Sequence, residues 1–216
     1  IPGVPHHVTQ RGNRQQPIFF SDDDRSLYCE LIAHYGQKTA TRCLAWCWME
    51  NHVHLILVPS TADGLRAMLA ATHTTYSQRI NAAQGASGHL FQGRFASYAM
   101  DEAHLFVAAR YVENNPVKAG LVRKAEDWHW SSARAHISGE SDGLTDIAAL
   151  GTHIGNWRMM LSDGLEASDE PVHKAMRSGM PLAEKGWLED MGAKLGRRLV
   201  PAKSGPKGPR RRDPHN

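Results

Sequence analysis

The sequence predicts an α+β fold of the ferredoxin-like, split βαβ kind, an antiparallel sheet covered by helices on one side. Three observations carry that reading. Apolar patterns follow one another in the order strand, helix, two strands, helix, strand, helix. The two middle strands, 41–49 and 52–58, are separated only by Glu50 and Asn51, a spacing that closes an antiparallel hairpin. The helical stretches, in turn, start at good capping residues and stop at glycine or proline.

In chain order, residues 6–9 alternate weakly and end at Gly12-Asn13, a strand followed by a turn. Ser21 is an N-cap, Asp22, Asp23 and Asp24 suit the positive end of a helix, and Leu27, Leu31 and Ile32 form its apolar stripe as far as Gly36. After the hairpin, a long helix over 65–83 ends at Gly85 and Gly88. Residues 95–100 read as a strand, and Asp101 caps a helix that carries Tyr111 and stops at Pro116. One domain over 1–135 is therefore expected. A helical extension over 136–200 follows, with short patterns at 146–150 and 156–161. A clearer helix spans 180–199 through Leu182, Leu188, Met191 and Leu195. Residues 201–216, rich in Pro, Gly, Lys and Arg, read as a disordered arm.

A hydrophobic content of 41% suits a packed core and excludes a disordered chain. The net charge is only +3, but residues 194–216 carry eight Lys or Arg against Asp213, so this segment holds +7 and the remainder −4. Basic character concentrated in a terminal arm suits contact with phosphates, and a solvated tail has the same composition. Cys29, Cys43 and Cys47 lack CxxC spacing, which speaks against a disulfide framework and a zinc knuckle and for a reducing cytoplasm. The apolar run around 55–58 is far too short to span a bilayer, and no charged-then-apolar leader opens the chain. The chain starts at Ile1 without Met, so a short preceding piece is expected.

The chemistry centres on His52-Val53-His54 inside Asn51 to Pro59 (NHVHLILVP). Residues i and i+2 of a strand share a face, so both rings can hold one cation. Sixty residues on, Arg110 to Gly120 reads RYVENNPVKAG; a helix puts Tyr111 and Asn115 on one face, a phenol nucleophile one turn from an amide oxygen that can serve as a third ligand. Asn before Pro also suits a helix stop. A wholly neutral donor set leaves the cation's charge for phosphate and favours Mg²⁺ or Mn²⁺ bound together with substrate. Arg11, Arg14, Arg94, Arg110, Lys118 and Arg123 surround these segments, and Arg210, Arg211 and Arg212 lie in the arm; all are candidates for steering phosphate. Tyr76 is the rival nucleophile, with core packing its simpler role. Trp46, Trp48, Trp128 and Trp130 read as core aromatics more readily than as base-stacking platforms.

This ordered set resembles the single-tyrosine transposases of the HUH superfamily, in which two histidines flank one hydrophobic residue, and within it the REP-associated branch. The resemblance covers roughly residues 1–135 and extends to His7-Val8-Thr9-Gln10-Arg11-Gly12-Asn13, Gly93-Arg94-Phe95, Asn115-Pro116-Val117 and Trp130-Ser131-Ser132. It implies a covalent 5′-phosphotyrosine and a free 3′-hydroxyl, rejoining without ATP, and a single-stranded or hairpin DNA partner, with the protein acting as monomer or homodimer. Glu50 departs from the pattern, which commonly has Pro before Asn-His. Two other classes compete. A noncatalytic nucleic-acid-binding regulator would not need His52, His54, Tyr111 and Asn115 together. A small metal-dependent hydrolase would want an acidic ligand and would not need Tyr111.

Overall fold

The computed structural model describes residues 1–151, 156–163 and 165–200. Strands β1 (His6–Arg11), β2 (Thr41–Trp48), β3 (His52–Pro59) and β4 (Ala96–Ala99) form one antiparallel sheet in the order β2-β3-β1-β4. Helix α1 (Asp22–Lys38) connects β1 to β2, α2 (Gly64–Gln84) connects β3 to β4, and α3 (Glu102–Lys118) follows β4. This is the split βαβ topology the sequence predicts, with the histidine strand inside the sheet. The capping box at the start of α1 is present: the Ser21 side chain accepts from the Asp24 amide, and Asp24 accepts from the Ser21 amide.

The sheet is covered on both faces, not one. On the first, Val8, Trp46, Trp48, Val53, Leu55 and Leu57 pack with Tyr28 and Ile32 of α1 and Met68, Leu69 and Tyr76 of α2. On the second, Ala45, Ile56 and Val58 meet Leu105, Ala108 and Val112 of α3. The reason is visible in β3: Leu55 to Val58 is an unbroken apolar run, which needs burial on both sides, whereas a one-sided sheet needs alternation.

Helix α3 differs from its expected form. It continues through Pro116 to Lys118, so Asn115 is a helical residue and not a cap. Proline lacks the N–H that would have bonded the Val112 carbonyl, but the turn goes on through Ala119 N–H to Asn115 O (2.9 Å) and Leu121 N–H to Pro116 O (2.9 Å).

The boundary expected at 135 also shifts. A first compact unit runs Ile1–Ala183, and the second, Glu184–Asn216, contributes helix α8 (Lys185–Leu195) among the described residues. Helices α4 (Ala133–Ser138), α5 (Ala148–Gly151), α6 (Trp157–Asp163) and α7 (Glu170–Ser178) belong to the first unit. Their Leu150, Trp157, Leu161, Val172 and Ala175 complete the core over α3. Leu182, expected in the last helical stripe, instead extends the β4 edge: its N–H donates to Ala99 O at 2.8 Å.

One polar cluster is sealed in this core. Glu113 of α3 is fully buried. Its Oε1 accepts from Ser132 Oγ (2.5 Å) and pairs with His136 Nδ1 (2.6 Å), and its Oε2 accepts from Trp157 Nε1 (2.6 Å). No helix among the described residues is long and apolar enough to cross a membrane.

Candidate active site

Register explains how the site assembles. Arg11 lies opposite His52 and Thr9 opposite His54, while His7 and Thr9 lie opposite Tyr98 and Ala96 on the other side of β1. One stripe across β3, β1 and β4 therefore presents His52, His54, Thr9, Arg11, Ala96 and Tyr98 beneath α3. At its end, Gly12 turns the chain: its N–H bonds Asn51 O at 2.8 Å, and a Cβ there would stand 2.1 Å from Gln16 O, so only glycine fits. Glu50 contributes through its backbone, its carbonyl accepting from Ile18 N–H at 2.9 Å, which lets an acidic side chain occupy this turn while remaining exposed.

Above the stripe lies a cleft of about 340 Å³ whose wall includes Arg11, His52, His54, Arg94 and Tyr111. The His52 and His54 ring centroids are 5.0 Å apart, and the Tyr111 ring stands edge-on to His54 at 5.4 Å. The phenol hydroxyl donates to Met176 Sδ at 3.9 Å, and His173 lies edge-on to the same ring at 5.4 Å. The Asn115 amide donates to the Tyr111 carbonyl at 3.2 Å, keeping the side chain beside the tyrosine.

Burial sets the electrostatics. Desolvation, helped by the nearby Arg11 charge, lowers the His52 pKa to about 4. His54 is held well below the ordinary histidine range, first by burial and then by His7, His52, Arg11 and His173. His7 falls to about 3 through burial alone. All three imidazoles are neutral at pH 7, the state a metal ligand requires. Burial raises the Tyr111 pKa; the Asn115 amide and Arg11 oppose that rise, while Asp169 and Cys47 add to it.

His52, His54, Tyr111, Arg11 and Arg94 meet at one cleft, with Asn115 next to its wall. The remaining candidates lie elsewhere. Arg14 sits in the turn after β1, exposed and with a positive φ of 52°. Arg110 is half-buried on α3. Lys118 is ion-paired with Asp169, and Arg123 lines a separate small cleft with Lys124 and Arg158. Arg210, Arg211 and Arg212 lie outside the described residues. Tyr76 is buried on the opposite face of the sheet, its hydroxyl donating to Ile18 O at 2.6 Å, which fits the packing role and removes it from the cleft. Trp46 and Trp48 are core residues as expected.

Sequence reasoning missed His7, Tyr98 and the whole of α7, which brings His173 and Met176 over the tyrosine. The helix was legible in principle: Asp169-Glu170-Pro171 is a start signal and Gly179 a stop. His7 carries no spacing signal, because its partner lies across the sheet.

Comparison with known proteins places this site in a family. Residues 3–115, over half of the chain, match the family model described as Transposase IS200 like. The chain belongs to the IS200-like transposase family. A Haemophilus influenzae protein (strain ATCC 51907 / DSM 11121 / KW20 / Rd), described as a REP-associated tyrosine transposase, is 24% identical over 132 residues, spanning 56% of this chain and 73% of that one. A solved structure titled as a REP-associated tyrosine transposase bound to a REP hairpin aligns with a TM-score of 0.51 at 21% identity, over 68% of this chain and 85% of that one, and shares the fold. A Deinococcus radiodurans R1 structure described as a transposase aligns at 15% identity over 53% and 92% of the two chains, with a TM-score of 0.40. For this IS200-like transposase, the matched stretch ends at the residue here numbered 115, so α4 to α8 lie beyond the part that defines the family.

Proposed function

We propose that the protein nicks and rejoins single-stranded, hairpin-forming DNA, with Tyr111 as nucleophile. The observation that carries this is the meeting of an α3 phenol and a β3 histidine pair, ring centroids 5.4 Å apart, at one cleft edged by Arg11 and Arg94. In the forward step the Tyr111 oxygen attacks phosphorus. An O–P bond forms, the P–O3′ bond breaks, the 5′ side remains as phosphotyrosine, and the 3′-oxygen leaves as a hydroxyl after taking up a proton. Rejoining reverses this: a 3′-hydroxyl attacks the phosphotyrosine and returns the phenol. The ester conserves the bond free energy, so no nucleotide triphosphate is required. A raised Tyr111 pKa means that the phenol is protonated at rest and must lose its proton as it attacks.

The residues also suit a divalent cation. Among the described residues no three His, Cys, Asp or Glu side chains form a metal set, so the two neutral imidazoles of His52 and His54 need oxygen donors to complete a shell. The Asn115 carbonyl oxygen is the protein's candidate, with substrate phosphate and water supplying the rest. Such a donor set fits Mg²⁺ or Mn²⁺, which when bound would neutralise charge on the nonbridging phosphate oxygens. Arg11 and Arg94, exposed at the rim, draw the phosphate backbone in.

A hairpin oligonucleotide labelled on the 3′ side of the cut tests the reading. Wild type is expected to give a denaturant-resistant protein–DNA band, Tyr111→Phe to bind the hairpin without forming it, and Tyr76→Phe to retain it if folded. A band from Tyr111→Phe comparable with that of wild type refutes the assignment.

A further inference from the structure

His52 and His54 each have one ring nitrogen tied to a neighbour. His52 Nδ1 lies 2.7 Å from Asn51 Oδ1, an oxygen that can only accept, so His52 carries its proton on Nδ1 and leaves Nε2 bare. His54 Nδ1 lies 3.0 Å from His7 Nε2. His7 comes from β1, is buried at 1% exposure, and does not line the cleft, whereas His54 does. Its ring is stacked on that of His54 at 5.2 Å and 17°, and wedged beside Tyr98 at 6.0 Å and Tyr111 at 5.8 Å.

Between two neutral imidazoles joined at one nitrogen each, only one proton is shared. If His7 donates, His54 must carry its own proton on Nε2, and that nitrogen has no lone pair left for a cation. If His7 accepts, the His54 proton sits on Nδ1 and Nε2 is open. The Asn51–His52 contact already imposes the second arrangement on the neighbouring ring. We infer that His7 is the positioning residue for His54: it accepts from His54 Nδ1, as Asn51 does from His52 Nδ1, so that both Nε2 atoms are presented to one divalent cation. His7 thereby acts through His54 and touches neither cation nor DNA. The inference rests on the cation-binding role proposed above for His52 and His54.

The test uses the full chain, Mn²⁺ as its chloride, and two variants. His7→Leu keeps bulk and removes the acceptor; His7→Gln supplies an amide oxygen near the lost Nε2. Free Mn²⁺ is read by electron paramagnetic resonance, and His54 protonation by ¹⁵N imidazole spectra without metal. Loss of an outer-shell partner weakens metal binding by roughly 10–100-fold. That loss is expected for His7→Leu, with His7→Gln recovering most of the affinity and with unchanged hairpin binding in both. Wild-type His54 is expected to be protonated on Nδ1, and this form should be depleted in His7→Leu. Wild-type His54 protonated on Nε2 overturns the inference, as does wild-type Mn²⁺ affinity in a folded His7→Leu. Equal loss in both variants also overturns it, assigning His7 to packing alone. Should His7→Leu fail to fold, the wild-type spectrum and the His7→Gln affinity decide. If wild type binds no Mn²⁺ yet carries the His54 proton on Nδ1, His7 keeps its role and the cation-binding proposal fails instead.

Discussion

A buried imidazole resists protonation because the charged form loses more hydration than its surroundings return, and this molecule contains several such rings. His6, His52 and His73 are lowered to about 4 and His7 to about 3, burial being the largest cause in each. As pH falls below about 6.5 the unfolded chain takes up protons that these folded rings refuse, so their contribution is present above that value and is lost toward about pH 4. Urea-unfolding free energies should therefore decline through this window. His73, hydrogen-bonded to the Tyr28 hydroxyl at 3.0 Å and absent from the lining of the Tyr111 cleft, gives a comparison outside that site. His73→Gln should reduce the slope by up to about 1.4 kcal/mol per pH unit, one proton's worth, and an unchanged slope would exclude His73 from the effect. At the cleft, His52→Ala or His54→Ala is expected to abolish cleavage with Mg²⁺ while hairpin binding, measured by gel shift, persists; nicking at the wild-type rate by either variant would remove the pair from the reaction.

At the scale of elements, α3 is held by its buried carboxylate. Glu113 has partners from α4, α6 and the segment before α4, so removing it strands the buried His136 and Trp157 N–H groups at once, while the Ser132 hydroxyl still has Trp46 O within reach at 3.3 Å. Glu113→Leu should cost about 2–6 kcal/mol in urea unfolding, about 1–3 for each of the two buried N–H groups left without an acceptor. Ser132→Ala, which removes one hydroxyl, should cost nearer 1 kcal/mol. Similar losses from both would show that the carboxylate is not the dominant feature. The strand order, the capping of α1 and the shared face of His52 and His54 were legible because local spacing determines them. Glu113 read only as one polar residue in RYVENNPVKAG, since its partners are 19, 23 and 44 residues away. Pro116 misled in the opposite direction: a local rule predicted a stop, and tertiary packing of Val112 and Pro116 in the last turns outweighed one missing hydrogen bond. The second covered face of the sheet was written in the unbroken apolar run of β3 and needed only a different reading of it.

For the whole molecule, charge separation matters most. The basic arm at 201–216 carries Lys203, Lys207, Arg210, Arg211 and Arg212 against Asp213. Its removal is expected to weaken hairpin binding and flatten the salt dependence, the log–log slope falling by roughly 0.7 for every single-strand phosphate that the arm no longer neutralises. Fluorescence anisotropy over a salt series measures this directly; identical slopes would make the arm a bystander.

The sealed contact between α3 and the later helices also bears on how such a protein can be cut and recombined. The stretch that matches the family ends at residue 115, yet the acid two residues from Tyr111 is answered by Ser132, His136 and Trp157. The matched stretch is thus not a portable cassette. A chain ending at 135 keeps one of the three donors, loses Leu150, Trp157, Leu161, Val172 and Ala175 from the core over α3, and should be recovered as aggregate. One ending at Ala183 retains the first compact unit and should melt cooperatively. Chimeras that exchange target preference between relatives would have to carry the helices beyond 135 along with the tyrosine, even though those helices fall outside the stretch by which the family is recognised.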